Sequence, residues 1–463
     1  MRPQNLVARE RLEVELRKQA PISAADLSKR LGVSLATTLR MLRERHERVV
    51  RIGTTKTARY ALRRPLRGVA KPISVYRLDK EGKGQSCGPL ELLEPQGSLL
   101  DLKAIGWPLD KDHSKGWWDG LPYPLYDMRP QGFLGRNFAR LTFRNLGVSP
   151  NLEEWSDDDI VYALTRYGSD TAGNLIVGDP AYELWLASVA TPEDPLPEGG
   201  LGERYAELAS RVTSQGVAGS SAAGEFPKFT AARERPGCAT PHVIVKFSGA
   251  DDSTAVRRWS DLLVCEHLAL AALEASTHLR SAPSRVLSAQ GRTFLEVERF
   301  DRQGIFGRSE TVTLEALNAA LLGSNDLAWP ELARQLSYLD LTASGMEGDI
   351  RMLWWFGKLI ANTDMHLGNM SFRFEGGDSP RLRPAPAYDM PPMLYAPLSG
   401  GEVPVRTFEP SLPLPAEREA WQAACAAAIA FWKNASQDSR VSQSFRNTCE
   451  ENRKRLSALA ERA

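Results

Sequence analysis

Four groups of residues in the second half of the chain have types and spacings suited to phosphoryl transfer. Asp364 and Asn369 stand five positions apart in Asn362-Thr-Asp-Met-His-Leu-Gly-Asn369. A carboxylate there would accept or orient the proton of an acceptor hydroxyl. A neutral amide oxygen would hold Mg²⁺ beside phosphates without adding negative charge. Asp389, in Pro386-Ala-Tyr-Asp-Met390, follows twenty residues after Asn369 and supplies the acidic metal ligand the same chemistry needs. Lys246 closes the β-branched run His242-Val-Ile-Val-Lys-Phe247, the placing of a lysine that pairs with α/β-phosphates. Glu266, twenty residues later in a helical stretch, would orient that lysine through an ion pair. Gly216 to Lys228, GVAGSSAAGEFPK, is rich in small residues that let successive N–H groups cradle phosphate. It matches neither G-x-x-x-x-G-K-[ST] nor G-x-G-x-x-G. Singly, these are an ordinary polar loop, an edge lysine and a surface glutamate. Their joint order along the chain favours a phosphotransferase site.

The elements that must position them follow from local patterns. MLWWFGKLIA reads as a buried helix seating the 362–369 loop. The 205–463 region alternates helical and strand patterns and ends in Ala-rich helices, so we assign it as one unit. Residues 73–200 are rich in Gly, Pro and Trp with short strands, a smaller mixed α/β unit bounded by the linker TPEDPLPEGGLG. Residues 1–66 read as helix, helix, short turn, helix and hairpin, the order of a winged helix-turn-helix. There Ser23 caps the second helix, Gly32 stops it and Ser34 caps the third. The expected fold is therefore multidomain α+β, and a basic, Pro-containing linker (65–72) joins the first two units.

Charge separates the parts. The 463 residues sum to a formal +1, which suggests no nucleic-acid partner. Residues 1–67, however, hold 17 Lys+Arg against 6 Asp+Glu, a net +11, and leave −10 for the rest. In the third helix Leu35, Leu39 and Leu42 are expected to face the core. Thr37, Arg40, Met41 and Glu44, flanked by Arg43, then face outward and suit a major groove. With Ser34, Thr37, Arg40 and Arg43 on the helix and Lys56 and Arg59 in the hairpin, the expected partner is duplex operator DNA. A protein-interaction surface is the other reading of the same patch. The five cysteines are scattered with no C-x-x-C pair, so reduced thiols and no metal cluster are expected. No apolar run reaches the ~20 residues of a membrane helix, and the start lacks a signal-peptide pattern, so a cytoplasmic location is expected.

SSAAGEFPK, HVIVKF, VERFDR (297–302), ANTDMHLGNMSF and PAYDM resemble the HipA-type serine/threonine kinase toxins of bacterial toxin–antitoxin systems. RYGSDTAGNLIVG (166–178) is similar to a stretch of that family's N-terminal subdomain, so the likeness runs from about residue 73 to the C-terminus. The whole chain resembles the longer, YjjJ-like subgroup with its own N-terminal helix-turn-helix. The resemblance implies that 205–463 is a bilobal protein kinase using ATP and Mg²⁺, 205–300 its ATP-binding lobe and 301–463 its helical catalytic lobe, with Asp364 catalytic and Asn369 and Asp389 binding the metal. It implies that Ser221, Ala222, Ala223, Gly224, Lys228, Lys246, Glu266 and His366 contact ATP, with Glu298, Arg299 and Phe300 at the hinge beside adenine. It places an inhibitory autophosphorylation at Ser221, or at the adjacent Ser220. Glu225-Phe226 stands where the family has Ala-Gln. The implied partners are a protein substrate, an aminoacyl-tRNA synthetase by analogy, and a separate antitoxin that the fused, autoregulating N-terminal unit either replaces or supplements, with a homodimer through the winged helix and growth arrest (persistence) as the outcome. Two other readings stay open: a DNA-binding regulator with a kinase-fold ligand sensor, and a small-molecule phosphotransferase.

Overall fold

The computed structural model describes residues 3–53, 57–214, 225–325, 328–375 and 380–462. Lys56, Ser220, Ser221, Ala222, Ala223 and Gly224 lie outside the described residues.

The N-terminal unit runs α1 (Pro3–Lys18), β1 (Ile22–Ser23), α2 (Ala24–Leu31), α3 (Leu35–Glu44), β2 (Val49–Ile52) and β3 (Arg59–Leu62). Ser23 accepts the Asp26 N–H to start α2, and Gly32 leaves it in the left-handed region at φ 65°. Ser34 accepts the Thr37 N–H to start α3. The strands order β1-β3-β2, so the hairpin gains a third, two-residue strand that no periodicity in the sequence marks. The inward face of α3 differs from the expected one. Thr38, Met41 and Leu42 are buried, whereas Leu35 is 47% exposed. Thr38 can enter the core because its hydroxyl donates to the Ser34 carbonyl at 3.2 Å, and the unbranched Met41 fills the space beside it. Met41 therefore leaves the outward set, while Arg40, Arg43 and Glu44 stay exposed and Thr37 is half-buried.

The middle unit is built on an antiparallel sheet, β7-β6-β5-β4-β8. Its strands are β4 (Ile73–Leu78), β5 (Gly84–Leu92), β6 (Ser98–Leu99), β7 (Trp117–Trp118) and β8 (Leu175–Val177). Its helices are α4 (Tyr123–Asp127), α5 (Gly132–Leu146), α6 (Asp157–Tyr167) and α7 (Asp179–Ala190). The start of the 65–72 stretch and the two residues before it are tied to the middle unit. Arg63 pairs with Glu91 at 2.6 Å, Arg64 with Asp158 at 2.8 Å and Arg67 with Asp159 at 2.6 Å. Val50, Ile52 and Ala61 share a buried apolar cluster with Leu93.

The C-terminal unit opens with α8 (Leu201–Ser214), then β9 (Lys228–Ala232) and β10 (His242–Phe247), α9 (Thr254–Ser276), β11 (Ser284–Ala289) and β12 (Arg292–Glu298). The four strands form an antiparallel sheet, β11-β12-β10-β9. Alternation sends Val243, Val245 and Phe247 into the core beneath α8 and turns Ile244 and Lys246 toward a cleft. Short strands β13 (Arg302–Gln303), β14 (Gly307–Arg308) and β15 (Val312–Thr313) lead into α10 (Leu314–Leu317), α11 (Trp329–Tyr338) and α12 (Met346–Leu359). After β16 (Ser371–Glu375) and β17 (Arg381–Pro384), α13 (Arg418–Gln437) and α14 (Gln443–Ala460) close the lobe. Its core centres on Trp329, Phe356, Trp421 and Trp432, all fully buried. The architecture is mixed α/β, and among the described residues no helix is long and apolar enough to cross a membrane.

Candidate active site

The strand lysine, the helix glutamate and the late aspartate meet. Lys246 Nζ lies 2.7 and 2.8 Å from the two carboxylate oxygens of Glu266 and 2.9 Å from Asp389 Oδ1. Glu266 is wholly buried on the inner face of α9, so its charge is stable there only with a cation in contact. Burial opposes the Lys246 charge, but Asp389 and Glu266 hold the ammonium above its usual range. Burial opposes the Asp389 charge too, and Lys246 and Lys228 outweigh it and keep that carboxyl below its usual range. Asp389 has φ 56°, an unfavourable backbone for a residue with a Cβ, and the surrounding bonds hold it there.

One of those bonds comes from Asn362, just past the end of α12. Its side chain accepts the Asp364 N–H at 3.0 Å and donates to the Asp389 carbonyl at 3.3 Å. It thus joins the two loops that carry the candidate acids. Sequence reasoning did not single it out as a site residue, although an Asn in a loop commonly closes a turn by bonding the backbone two residues on. Asn369 donates from Nδ2 to the Asp364 carbonyl at 2.8 Å. His366 Nδ1 accepts the Gly368 N–H at 3.1 Å, so the ring is engaged in shaping the turn. Asp364 is exposed to the cleft, and desolvation there raises its carboxyl above the usual range; His366 opposes that and Asp389 adds to it.

Asp364, His366, Asn369, Asp389, Lys246 and Lys228 line one cavity of about 390 Å³. A second, of about 380 Å³, shares Lys246, Asn369 and Asp389 with it and extends to Val297 and Phe300 on the hinge side. Asn369 and Asp389 offer an amide and a carboxylate to the shared space, an oxygen donor set that fits a hard divalent cation such as Mg²⁺.

Three of the expected site residues are engaged in ion pairs. The Glu298 carboxylate is turned onto Arg233 at 2.8 Å, and the Arg299 guanidinium binds Asp170 and Asp301 at 3.1 and 3.0 Å. Both side chains are held in ion pairs, because a charge buried at this depth requires a partner. Glu298, Arg299 and Phe300 all line the second cavity. Lys228, which lines both cavities, is paired with Glu225 at 2.9 Å. The Arg299 network also explains two sequence stretches at once. Asp170 of the RYGSDTAG segment binds Arg299 and Arg302, and Asp301 accepts the Gly173 N–H at 3.0 Å, stapling the middle unit to the hinge.

The middle unit reaches the cavity as well. Asp127 at the end of α4 and Gln131 and Leu134 at the start of α5 line its hinge-side part. Asp127 accepts the Thr313 N–H at 3.0 Å and the Thr313 hydroxyl, and burial raises its carboxyl to about 6.

Two family profiles match this chain, "YjjJ-like toxin, middle domain" over residues 69–186 and "HipA-like C-terminal domain" over residues 220–458. The chain belongs to the HipA-like toxins. Its relationship is to the YjjJ-like branch: it is 36% identical over 449 residues to Toxin YjjJ of Escherichia coli (strain K12), covering 97% of this chain and 98% of that protein. In fold it is similar to a chain of the Shewanella oneidensis MR-1 HipA, HipB and operator DNA complex. That match has a TM-score of 0.50 and 15% identity, covering 84% of this chain and 97% of that one.

Proposed function

We propose that the protein is an ATP- and Mg²⁺-dependent serine/threonine protein kinase of a toxin–antitoxin system, with a DNA-binding N-terminal unit. The observation that carries this reading is the Lys246 ammonium held by both oxygens of Glu266 and by Asp389, in a cavity that also contains Asp364 and Asn369. A lysine fixed in this way presents a point charge to phosphates without conformational cost at the moment of reaction. Asp364 would orient the acceptor hydroxyl, and its raised carboxyl makes it a better proton acceptor than an ordinary aspartate. Bound Mg²⁺ would neutralise charge developing on the phosphates, held by Asn369 and Asp389. Phe300 and the hinge backbone would flank adenine. Ser220 or Ser221, outside the described residues, would take an inhibitory phosphate. The test is γ-labelled ATP with the purified chain and with lysate. We expect labelling by the wild type and its loss in Asp364→Ala, which should retain nucleotide binding. Undiminished labelling by Asp364→Ala would sink the assignment.

The N-terminal unit is proposed as a winged helix-turn-helix that grips operator DNA through α3. The support is the outward placing of Arg40 and Arg43 beside the capped start at Ser34 and Thr37, together with the net +11 of residues 1–67. Arg59 contributes less than expected, since its guanidinium donates to the Pro21 carbonyl at 3.0 Å. A separate antitoxin and a translation component as substrate belong to the same proposal by family membership.

A further inference from the structure

Glu225 lies where three donors meet. Its Oε1 accepts the Phe133 N–H at 3.0 Å and stands 2.9 Å from Lys228 Nζ, and its Oε2 accepts from Arg136 Nη2 at 2.7 Å. Phe133 and Arg136 belong to the first turns of α5, in the middle domain. Gly132 precedes them at φ 58°, and a Cβ there would come within 2.9 Å of Glu225 Oε1, so glycine leaves the carboxylate its place. Gly132, Phe133, Glu225 and Lys228 all line the cavity that holds Asp364 and Asp389.

The sheet register adds a second fact. Lys228 of β9 stands directly opposite Lys246 of β10. Directly paired residues share one face of a sheet, where like charges repel. Each lysine is compensated separately, Lys246 by Glu266 and Asp389, and Lys228 by Glu225. Arg136 and the Phe133 N–H in turn offset part of the charge that Glu225 brings; the ammonium and these donors outweigh burial and keep its carboxyl below the usual range.

We infer that Glu225 sets the affinity for nucleotide phosphates by competing with them for Lys228, and that the middle domain tunes this competition through Arg136. This rests on the nucleotide site proposed above. Incoming phosphates must draw the Lys228 ammonium away from Glu225 and approach its negative charge. Arg136 lowers that cost by holding the carboxylate from the other side. The two partners therefore act with opposite sign. Glu225→Gln keeps the shape and an acceptor for the Phe133 N–H but removes the competing charge. Arg136→Met leaves Glu225 more strongly on Lys228. A Glu225 that served only to join the two domains would weaken binding in both variants.

The test is nucleotide titration of the full chain with MgATP, MgADP and adenosine, with thermal unfolding followed in parallel. For Glu225→Gln, ATP and ADP should bind about two- to fivefold more tightly, the scale of one partly exposed ion pair, and adenosine should bind as before. Arg136→Met should bind ATP weaker by a similar factor, Arg136→Lys as the wild type does. In the Glu225→Gln background Arg136→Met should change little. Equal or weaker ATP binding by Glu225→Gln would overturn the inference, and so would a full Arg136→Met effect in its absence. Because Glu225→Gln is nearly isosteric, its sign decides the matter even if the Arg136 variants fold poorly. A wild type that bound no nucleotide would overturn the proposed function itself, and this inference with it.

Discussion

At the residue scale, the cluster around Lys246 is a set of charges that hold one another in place. Glu266 is fully buried and touches one cation, so its removal should act on stability and on chemistry together. Glu266→Ala leaves Lys246 paired with Asp389 alone. We expect a loss of about 2–4 kcal/mol in urea denaturation and a fall of about 10- to 100-fold in ATP turnover, because the lysine then swings toward Asp389 and away from the phosphates. Full turnover with reduced stability would mean that Glu266 is structural only. The Lys246–Glu266 pair was legible in the sequence because β10 and α9 are elements whose period fixes a side chain's direction, whereas Asp389, on a loop, was legible only from its type and its spacing from Asn369. Asn362, Glu225 and Asp170 were not. Their partners stand 27, 92 and 129 positions away in sequence, at Asp389, Phe133 and Arg299, and no local spacing carries that information. The ion pairs of Glu298 and Arg299 were hidden for the same reason, since their counter-ions Arg233 and Asp170 lie far off in sequence.

At the element scale, the short-range signals were the dependable ones. Ser23, Gly32 and Ser34 mark the ends of α2 and α3 by bonds within a few residues. The rotation of α3 was hidden because Thr38 looks polar in sequence and is satisfied within its own helix. One element junction carries a pH-dependent consequence. Asp127 at the end of α4 binds Thr313, which caps α10, and burial raises its folded-state pKa from an ordinary 3.8 to about 6. The native state then holds this proton more tightly than the unfolded chain does. Its contribution to stability is full below about pH 4 and is lost as pH rises through about 6. Relative to Asp127→Asn, the wild type should lose about 2–3 kcal/mol across that window, read from denaturant midpoints at stepped pH. A difference between the two proteins that stayed constant from pH 4 to 7 would contradict the assignment.

At the scale of the whole molecule, the opposed charges of head and body are partly spent on each other. Arg63, Arg64 and Arg67 count toward the +11, yet each is paired with an acidic residue of the middle domain. The positive field left for the proposed DNA face is carried by groups such as Arg40 and Arg43 on α3. Arg40→Ala and Arg43→Ala should each lower the magnitude of the log–log salt slope of DNA binding by about one, whereas Arg64→Ala should leave it unchanged. The docked head should also respond to salt differently from the DNA contact. Arg64–Asp158 and Arg67–Asp159 are partly exposed and contribute less than about 1 kcal/mol each. Val50, Ile52, Ala61 and Leu93 are buried together, and apolar burial is not screened by salt. Raising salt should therefore release DNA while the head stays seated on the middle domain. Limited proteolysis is the direct check: cleavage between residues 64 and 72 should be as slow at 1 M salt as at 0.1 M, about a threefold change in screening length. Charging the apolar contact with Leu93→Asp should expose the same sites at either salt concentration, because it replaces dry packing with an unpaired buried carboxylate. Rapid cleavage of the wild type at high salt alone would show instead that the arginine pairs, and not the apolar cluster, hold the two parts together.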